Sequence, residues 1–246
     1  MPDAHTELLY LRDSYLREFT SVVAAVDQDA VALQATAFYV TGGGQPHDTG
    51  TLAAERTGEA RVVEVTKDGV VAWHKLQGPV PGVGETVTGS IDWGRRHELM
   101  RTHTALHILC GVIWNEFGKA VTGGNMEPLA ARMDFEFDPL PEGFGALIER
   151  LVNDEIAADR PIEVSFLSPG EASLDEALIR TKTNLVPEWV SEIRVVDIVG
   201  LDKQADGGTH VRSTAEVGAV RVVKTESKGK GNKRIRIVVQ TSLEPQ

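Results

Sequence analysis

The chain has 246 residues, 41% of them hydrophobic, enough for one large or two modest cores. Its 25 basic and 36 acidic residues give a net charge of −11, which argues against generic nucleic-acid binding, because phosphate contacts need clustered Lys and Arg. No apolar run approaches the roughly 20 residues that cross a bilayer, residues 1–7 lack the basic and apolar regions of a secretory signal, and the lone Cys110 excludes an intrachain disulfide framework, so the expected location is cytoplasmic.

Residues 1–93 read as mostly β. Short Val- and Ala-rich runs at 22–26, 30–33, 60–65 and 70–76 are separated by turn residues at 27–29, 67–69 and 78–82. Strands this short at this spacing predict a small barrel. Residues 8–19 fit either a strand or a helix, and Tyr10, Tyr15 and Phe19 do not decide between them. Residues 41–46, Thr-Gly-Gly-Gly-Gln-Pro, lack the Gly-Lys-Ser/Thr ending of a phosphate loop; their glycines permit a sharp turn and close backbone approach.

Residues 91–96 mark a boundary, dividing the chain into domains 1–93 and 94–246. A helix from Thr102 to Phe117 opens the second. A glycine-rich loop, 121–126, follows and contains Thr122. Residues 132–137 alternate as a half-buried strand, and 145–158 carry Ala146, Leu147, Ile148, Leu151, Val152 and Ile156 as an apolar helix face. A strand at 162–167 precedes a helix at 168–179, with Ser168 as cap and Pro169 in its first position and with Glu171, Asp175 and Glu176 as solvated charges. Strands at 193–199, 219–224 and 234–240 complete the pattern, with 228–233 as a hairpin loop. Helices and strands interleave without a repeat, so the fold class is α+β. Trp73, Trp93, Trp114 and Trp189 read as core or domain-interface residues.

Two basic clusters soften the acidic balance. Lys224, Lys228, Lys230, Lys233, Arg234 and Arg236 crowd the C-terminal region against Glu226, and Arg95, Arg96 and Arg101 precede and enter the helix. They fit either phosphate contacts or plain solvated surfaces.

The most informative residues are His103 and His107, four apart on that helix, with His210 closing Asp-Gly-Gly-Thr-His downstream. Positions i and i+4 share a helix face, so both imidazoles can reach one ion, and the two glycines let the backbone carry His210 close. Three imidazoles favour zinc. Cys110 shares the histidine face and reads as a small buried hydrophobe. A Gly-x-Ser-x-Gly nucleophile elbow is absent.

The segments 38–46 (Phe-Tyr-Val-Thr-Gly-Gly-Gly-Gln-Pro), 100–109 (Met-Arg-Thr-His-Thr-Ala-Leu-His-Ile-Leu) and 204–211 (Gln-Ala-Asp-Gly-Gly-Thr-His-Val) resemble, in order, the alanyl-tRNA editing proteins, the AlaX family, freestanding relatives of the editing domain of alanyl-tRNA synthetase. The resemblance implies a translation-protein-like β-barrel at 1–93 and a metal-binding editing domain at 94–246. It implies hydrolysis of the ester on mischarged tRNA(Ala), chiefly Ser-tRNA(Ala) and also Gly-tRNA(Ala), with one zinc held by His103, His107, Asp206 and His210. The family cysteine four residues before the last histidine is here Asp206, a harder ligand than thiolate or a group that takes a proton from water, with Gln204 as a neighbour orienting it and a stand-in thiolate from Cys110 as the alternative. The 41–46 loop faces the editing centre in the family, making Thr41 and Gln45 its polar candidates; a plain barrel turn is the alternative. A hydroxyl such as that of Thr122 would pair with the serine side chain. Two other readings fit the same residues: a tRNA-binding module with a structural metal, and a metallohydrolase of small aminoacyl esters. The metal either polarises water or fixes the substrate.

Overall fold

The computed structural model describes residues 5–137, 139–173, 178, 192–229 and 231–241. Two compact units divide the chain, Met1–Glu98 and Leu99–Gln246. Together they give an α+β protein. No helix among the described residues is long and apolar enough to cross a membrane.

The first unit begins with β1 (Glu7–Leu8), followed by a single 3₁₀ turn at Leu9–Leu11, so residues 8–19 contain neither a full helix nor one strand. β2 (Glu18–Asp27), β3 (Ala30–Leu33), β4 (Ala35–Thr36), β5 (Gly50–Ala54), β6 (Gly58–Asp68), β7 (Val71–Gln77) and β8 (Thr86–Ile91) follow. β1 pairs in parallel with β4, and six strands close a barrel in the order β2-β3-β7-β6-β5-β8, antiparallel throughout. Strand alternation fills it: Phe19, Val23, Val31, Leu33, Leu52, Val62, Val65, Leu76 and Val87 point inward. β5 and β8 escape the sequence reading because Thr, Gly and Ser dilute their apolar positions; closure of the ladder supplies what their propensity lacks. A polar residue sits in this core. His74 is fully buried, its Nε2 2.8 Å from the Thr36 hydroxyl and its Nδ1 3.1 Å from the Val31 carbonyl oxygen, and burial depresses its pKa to about 4.

α1 (Trp93–Phe117) starts in the first unit. There Arg96 is wholly buried, donating to both carboxylate oxygens of Asp48 and to the Ser14 and Ala37 carbonyls, while Asp48 accepts the Tyr39 N–H at 2.6 Å. Continuing into the second unit, α1 is buried on all sides from Leu99 to Ile113, as befits a helix that packs on every face. β9 (Val121–Glu127), β10 (Ala130–Glu136), α2 (Phe144–Ala157), β11 (Ile162–Leu167), α3 (Pro169–Ser173), β12 (Ile193–Ile198), β13 (Asp202–Ala205), β14 (Val220–Ser227) and β15 (Asn232–Val239) follow. They form a four-stranded sheet, β14-β15-β10-β9, and a three-stranded one, β11-β12-β13, both antiparallel. α2 buries Phe144, Ile148, Val152 and Ile156 at the spacing of one helix face. Its Asn153 donates to the Val220 carbonyl at 2.7 Å and its Glu149 accepts the Val222 N–H at 2.8 Å, tying it to β14.

The glycine-rich segment 121–126, expected as a loop, is the edge strand β9, because the β10 ladder satisfies its backbone despite weak strand propensity. The expected helix at 168–179 is observed from Pro169 to Ser173; residues 174–177 and 179, with Asp175 and Glu176, lie outside the described residues, as do Trp189 and Lys230. Of the other tryptophans none is fully buried, and Trp93 lies between the Arg17 guanidinium, 4.0 Å from the ring centroid, and a stacked His97.

Candidate metal centre

Four side chains of the second unit converge. His103, His107, Asp206 and His210 each present a ligand atom, and these atoms all lie within 4.8 Å of one another. The two helix histidines face the loop after β13, which begins at Asp206 and ends at His210. Ring centroids are 4.4 Å apart for His103 and His210, 4.7 Å for His107 and His210, and 5.1 Å for His103 and His107. All three histidines are buried, each residue at most 6% exposed.

The loop is held in several ways. Asp206 Oδ2 accepts the Gly208 N–H at 2.6 Å, closing a local turn, and lies 3.0 Å from His210 Nε2. The Asp206 N–H donates to the Arg194 carbonyl at 3.1 Å, and Arg194 Nη1 donates to the Asp206 carbonyl at 2.8 Å, fastening the loop to β12. Thr104, one position after His103, has its hydroxyl oxygen 3.1 Å from His210 Nδ1 and accepts the Val211 N–H at 3.3 Å. Asp202, at the start of β13, places Oδ2 3.2 Å from His107 Nδ1. Neither Thr104 nor Asp202 carries a sequence signal of its own; both emerge once α1 and β13 are placed side by side.

Electrostatics sort the four groups. Burial, reinforced by the neighbouring imidazoles, holds His103 well below the ordinary histidine range, and burial also depresses His210, to about 4. Both stay neutral with lone pairs available. Burial works against the charged form of His107 as well, but the Asp202 and Asp206 carboxylates outweigh it and raise its pKa. Asp206 is held well below the carboxylate range, since the imidazoles, led by His103, overcome its own burial. It is therefore anionic and a poor proton acceptor.

This donor set fits a zinc ion: three buried imidazoles and one half-buried carboxylate, two of the imidazoles with an oxygen beside their other nitrogen, Thr104 Oγ1 at 3.1 Å for His210 and Asp202 Oδ2 at 3.2 Å for His107. Gln204, expected to orient Asp206, instead donates to Asp202 Oδ2 at 2.6 Å, because alternation along β13 puts residues 202 and 204 on one face. Cys110 is buried outside the cluster, as a small hydrophobe would be.

The remaining sequence candidates sit elsewhere. Thr41 and Gln45 belong to the first unit, in a tight turn closed by reciprocal Gly42 and Gln45 backbone bonds, with Gly43 and Gly44 at φ +56° and +84°. The exposed Thr41 hydroxyl meets His47 Nδ1 at 3.0 Å, and Gln45 is buried. Thr122 is on the exposed face of β9, donating to Asn232 Oδ1 at 3.0 Å. The basic clusters are largely neutralised. Arg234 makes a two-pronged bond to Asp134 at 2.7 and 2.8 Å, while Lys224 and Arg236 both hold Glu226 at 2.8 Å. Arg96 is buried, and Arg101 donates to the Val217 and Gln240 carbonyls, so neither is a surface cation.

Comparisons with known proteins relate the chain to tRNA synthetases and their editing relatives. Residues 193–236 match the family described as the threonyl and alanyl tRNA synthetase second additional domain, and residues 4–95 match class II (A) tRNA synthetases. An alanyl-tRNA editing protein AlaX-M from Saccharolobus solfataricus is 39% identical over 96% of this chain and 99% of its own length. One from Methanosarcina acetivorans is 38% identical over 94% and 97%. The alanine–tRNA ligase of Pyrobaculum calidifontis is 39% identical over 90% of this chain, which corresponds to 25% of that larger enzyme. A barrel unit joined to a histidine-and-carboxylate centre on a synthetase-related domain thus defines a synthetase-like editing module. The chain belongs to the alanyl-tRNA editing protein family.

Proposed function

We propose that this chain removes wrong amino acids, chiefly serine and also glycine, from tRNA(Ala), using a centre that holds one zinc ion through His103, His107, Asp206 and His210. The enzyme is an aminoacyl-tRNA deacylase, an ester hydrolase. The observation that carries the zinc reading is the convergence of three buried imidazoles and a half-buried carboxylate, their ligand atoms all within 4.8 Å of one another. When bound, the ion supplies positive charge that polarises a coordinated oxygen or anchors the aminoacyl end. Four protein donors would leave the ion little need of a further ligand, which favours an anchoring and structural part for it.

The reaction demands little of the protein. Water attacks the ester carbonyl carbon, the bond to the ribose oxygen breaks, and that oxygen leaves with a proton. An aminoacyl ester is already activated, so holding it beside one water in a dry pocket is most of the task. Asp206 fits a ligand better than a base, because a carboxylate held so far below its usual range takes a proton poorly. Thr41 and Gln45 are proposed to contact the substrate, and the hydroxyl of Thr41 or Thr122 to pair with serine's.

The test is deacylation of Ser-tRNA(Ala), Gly-tRNA(Ala) and a free seryl ester, with and without a chelator. Rapid cleavage of the first two, slow cleavage of the third and loss of activity after chelation are expected. Binding without cleavage identifies a tRNA-binding module, and equal cleavage of the free ester identifies a small-ester hydrolase.

A further inference from the structure

We propose that Asp202 is a positioning residue of the metal centre, fixing His107 as a ligand through Nε2, and that Gly111 is the gap in α1 that lets Asp202 reach it. The inference rests on the reading of His103, His107, Asp206 and His210 as metal ligands.

One carboxylate oxygen of Asp202 is 3.2 Å from His107 Nδ1, and the Asp202 side chain has no solvent exposure. A carboxylate oxygen this close to Nδ1 holds that edge of the ring and leaves Nε2 as the nitrogen available to a metal. Gln204 Nε2 donates to the same oxygen at 2.6 Å, steadying the carboxylate from the same face of β13. Thr104 stands beside His210 Nδ1 in the corresponding way, 3.1 Å away, so each of these two rings has an oxygen next to its outer nitrogen.

Reaching His107 requires the β12–β13 turn to lie directly on α1. His107, Gly111 and Asn115 are successive i, i+4 positions on one face. Asn115 donates to the Leu201 carbonyl at 3.3 Å. At Gly111 a Cβ would stand 2.9 Å from Leu201 Cγ, 3.0 Å from Asp202 Cβ and 3.0 Å from the Leu201 carbonyl oxygen. A glycine in a helix interior costs about 1 kcal/mol relative to alanine. Here the missing side chain is the space Leu201 and Asp202 occupy. A single hairpin then serves the cluster from two sides, Asp202 opening β13 and Asp206 following its end.

The test uses the full chain, stripped of metal and titrated with zinc against a chromophoric chelator. Asp202→Asn keeps the shape and removes the charge. Its zinc affinity is expected to fall 10–100-fold, with a changed visible spectrum for the cobalt-loaded protein, since His107 is a weaker or displaced ligand. A merely structural carboxylate would lower the urea midpoint and leave that spectrum intact. Gly111→Ala should lower zinc affinity in the same direction by pushing Leu201 and Asp202 outward. Should Asp202→Asn fail to fold, Gln204→Ala keeps the carboxylate and is expected to weaken zinc binding to a smaller extent. Unchanged affinity and spectrum in a folded Asp202→Asn or Gln204→Ala protein, beside a wild type that binds zinc, overturns the proposal alone. A wild type that binds no zinc refutes the metal reading, and the proposal with it.

Discussion

Replacing Asp206 with asparagine separates its structural work from metal ligation. In the metal-free protein the carboxylate accepts the Gly208 N–H at 2.6 Å and lies 3.7 Å from Arg194 Nη1, a side chain only 5% exposed. A hydrogen bond to a charged group contributes about 1.5–3 kcal/mol and a neutral one about 0.5–1.5. Asparagine thus loses roughly 1 kcal/mol there, plus part of the Arg194 attraction, which is offset by no longer burying an anion. The expected loss in metal-free stability is about 1–3 kcal/mol. Zinc adds a separate quantity: at a hundred times Kd it stabilises the wild type by about 2.7 kcal/mol. If replacing a ligand costs at least the 10–100-fold typical of outer partners, the same zinc concentration stabilises the variant by only about 1.4 to 0.4 kcal/mol by the same relation. Urea titrations of both proteins, with zinc and with chelator, measure the two differences independently. An equal zinc-induced gain in the two proteins would show that Asp206 is not a ligand, and no gain in the wild type would refute the metal centre altogether.

Other expectations are as direct. Lys228→Gln with Lys233→Gln should reduce the salt slope of tRNA binding by about 0.7–0.9 per lost phosphate contact, whereas Arg234→Gln, which leaves Asp134 only the more distant Arg132, should lower stability instead; an unchanged slope would remove the hairpin lysines from the interface. His74 has a depressed folded pKa, so only the unfolded chain takes up its proton between pH 6.5 and about 4. Its contribution is intact above pH 6.5 and is lost progressively down to about 4, roughly 3 kcal/mol in all; urea midpoints of a His74→Asn protein should fall less steeply over that window, and parallel curves would contradict the assignment. Thr41→Val and Thr122→Val test the serine preference over alanine: a buried hydroxyl pairing is worth about 1–3 kcal/mol, so the variant of the responsible residue should cleave Ser-tRNA(Ala) about 5–150-fold more slowly by the usual conversion, with Gly-tRNA(Ala) unaffected. Retained preference in both places selectivity in other groups.

Much of this protein is legible locally. β3 and β11 fall where their Val- and Ile-rich runs end, and α2 follows its apolar period, because those segments decide their conformation within a few residues. His103, His107 and His210 are equally legible, since four-residue spacing on a helix and a glycine pair before a third histidine constrain chemistry before any fold is known. The rest depends on partners distant in sequence. β9 and β13 have almost no strand propensity of their own and exist because β10 and β12 offer them a ladder. The basic C-terminal stretch looks like a phosphate surface until β10 sets Asp134 against Arg234 and the β14–β15 pairing sets Glu226 against Lys224 and Arg236. The metal candidates were written in the sequence as residues with suitable donor atoms. That Asp202 stands behind His107, that Thr104 stands behind His210, and that Gln204 serves Asp202 rather than Asp206 came only with the docking of a hairpin onto a helix some ninety positions away in the chain, because side-chain contacts are fixed by packing and not by order along the backbone.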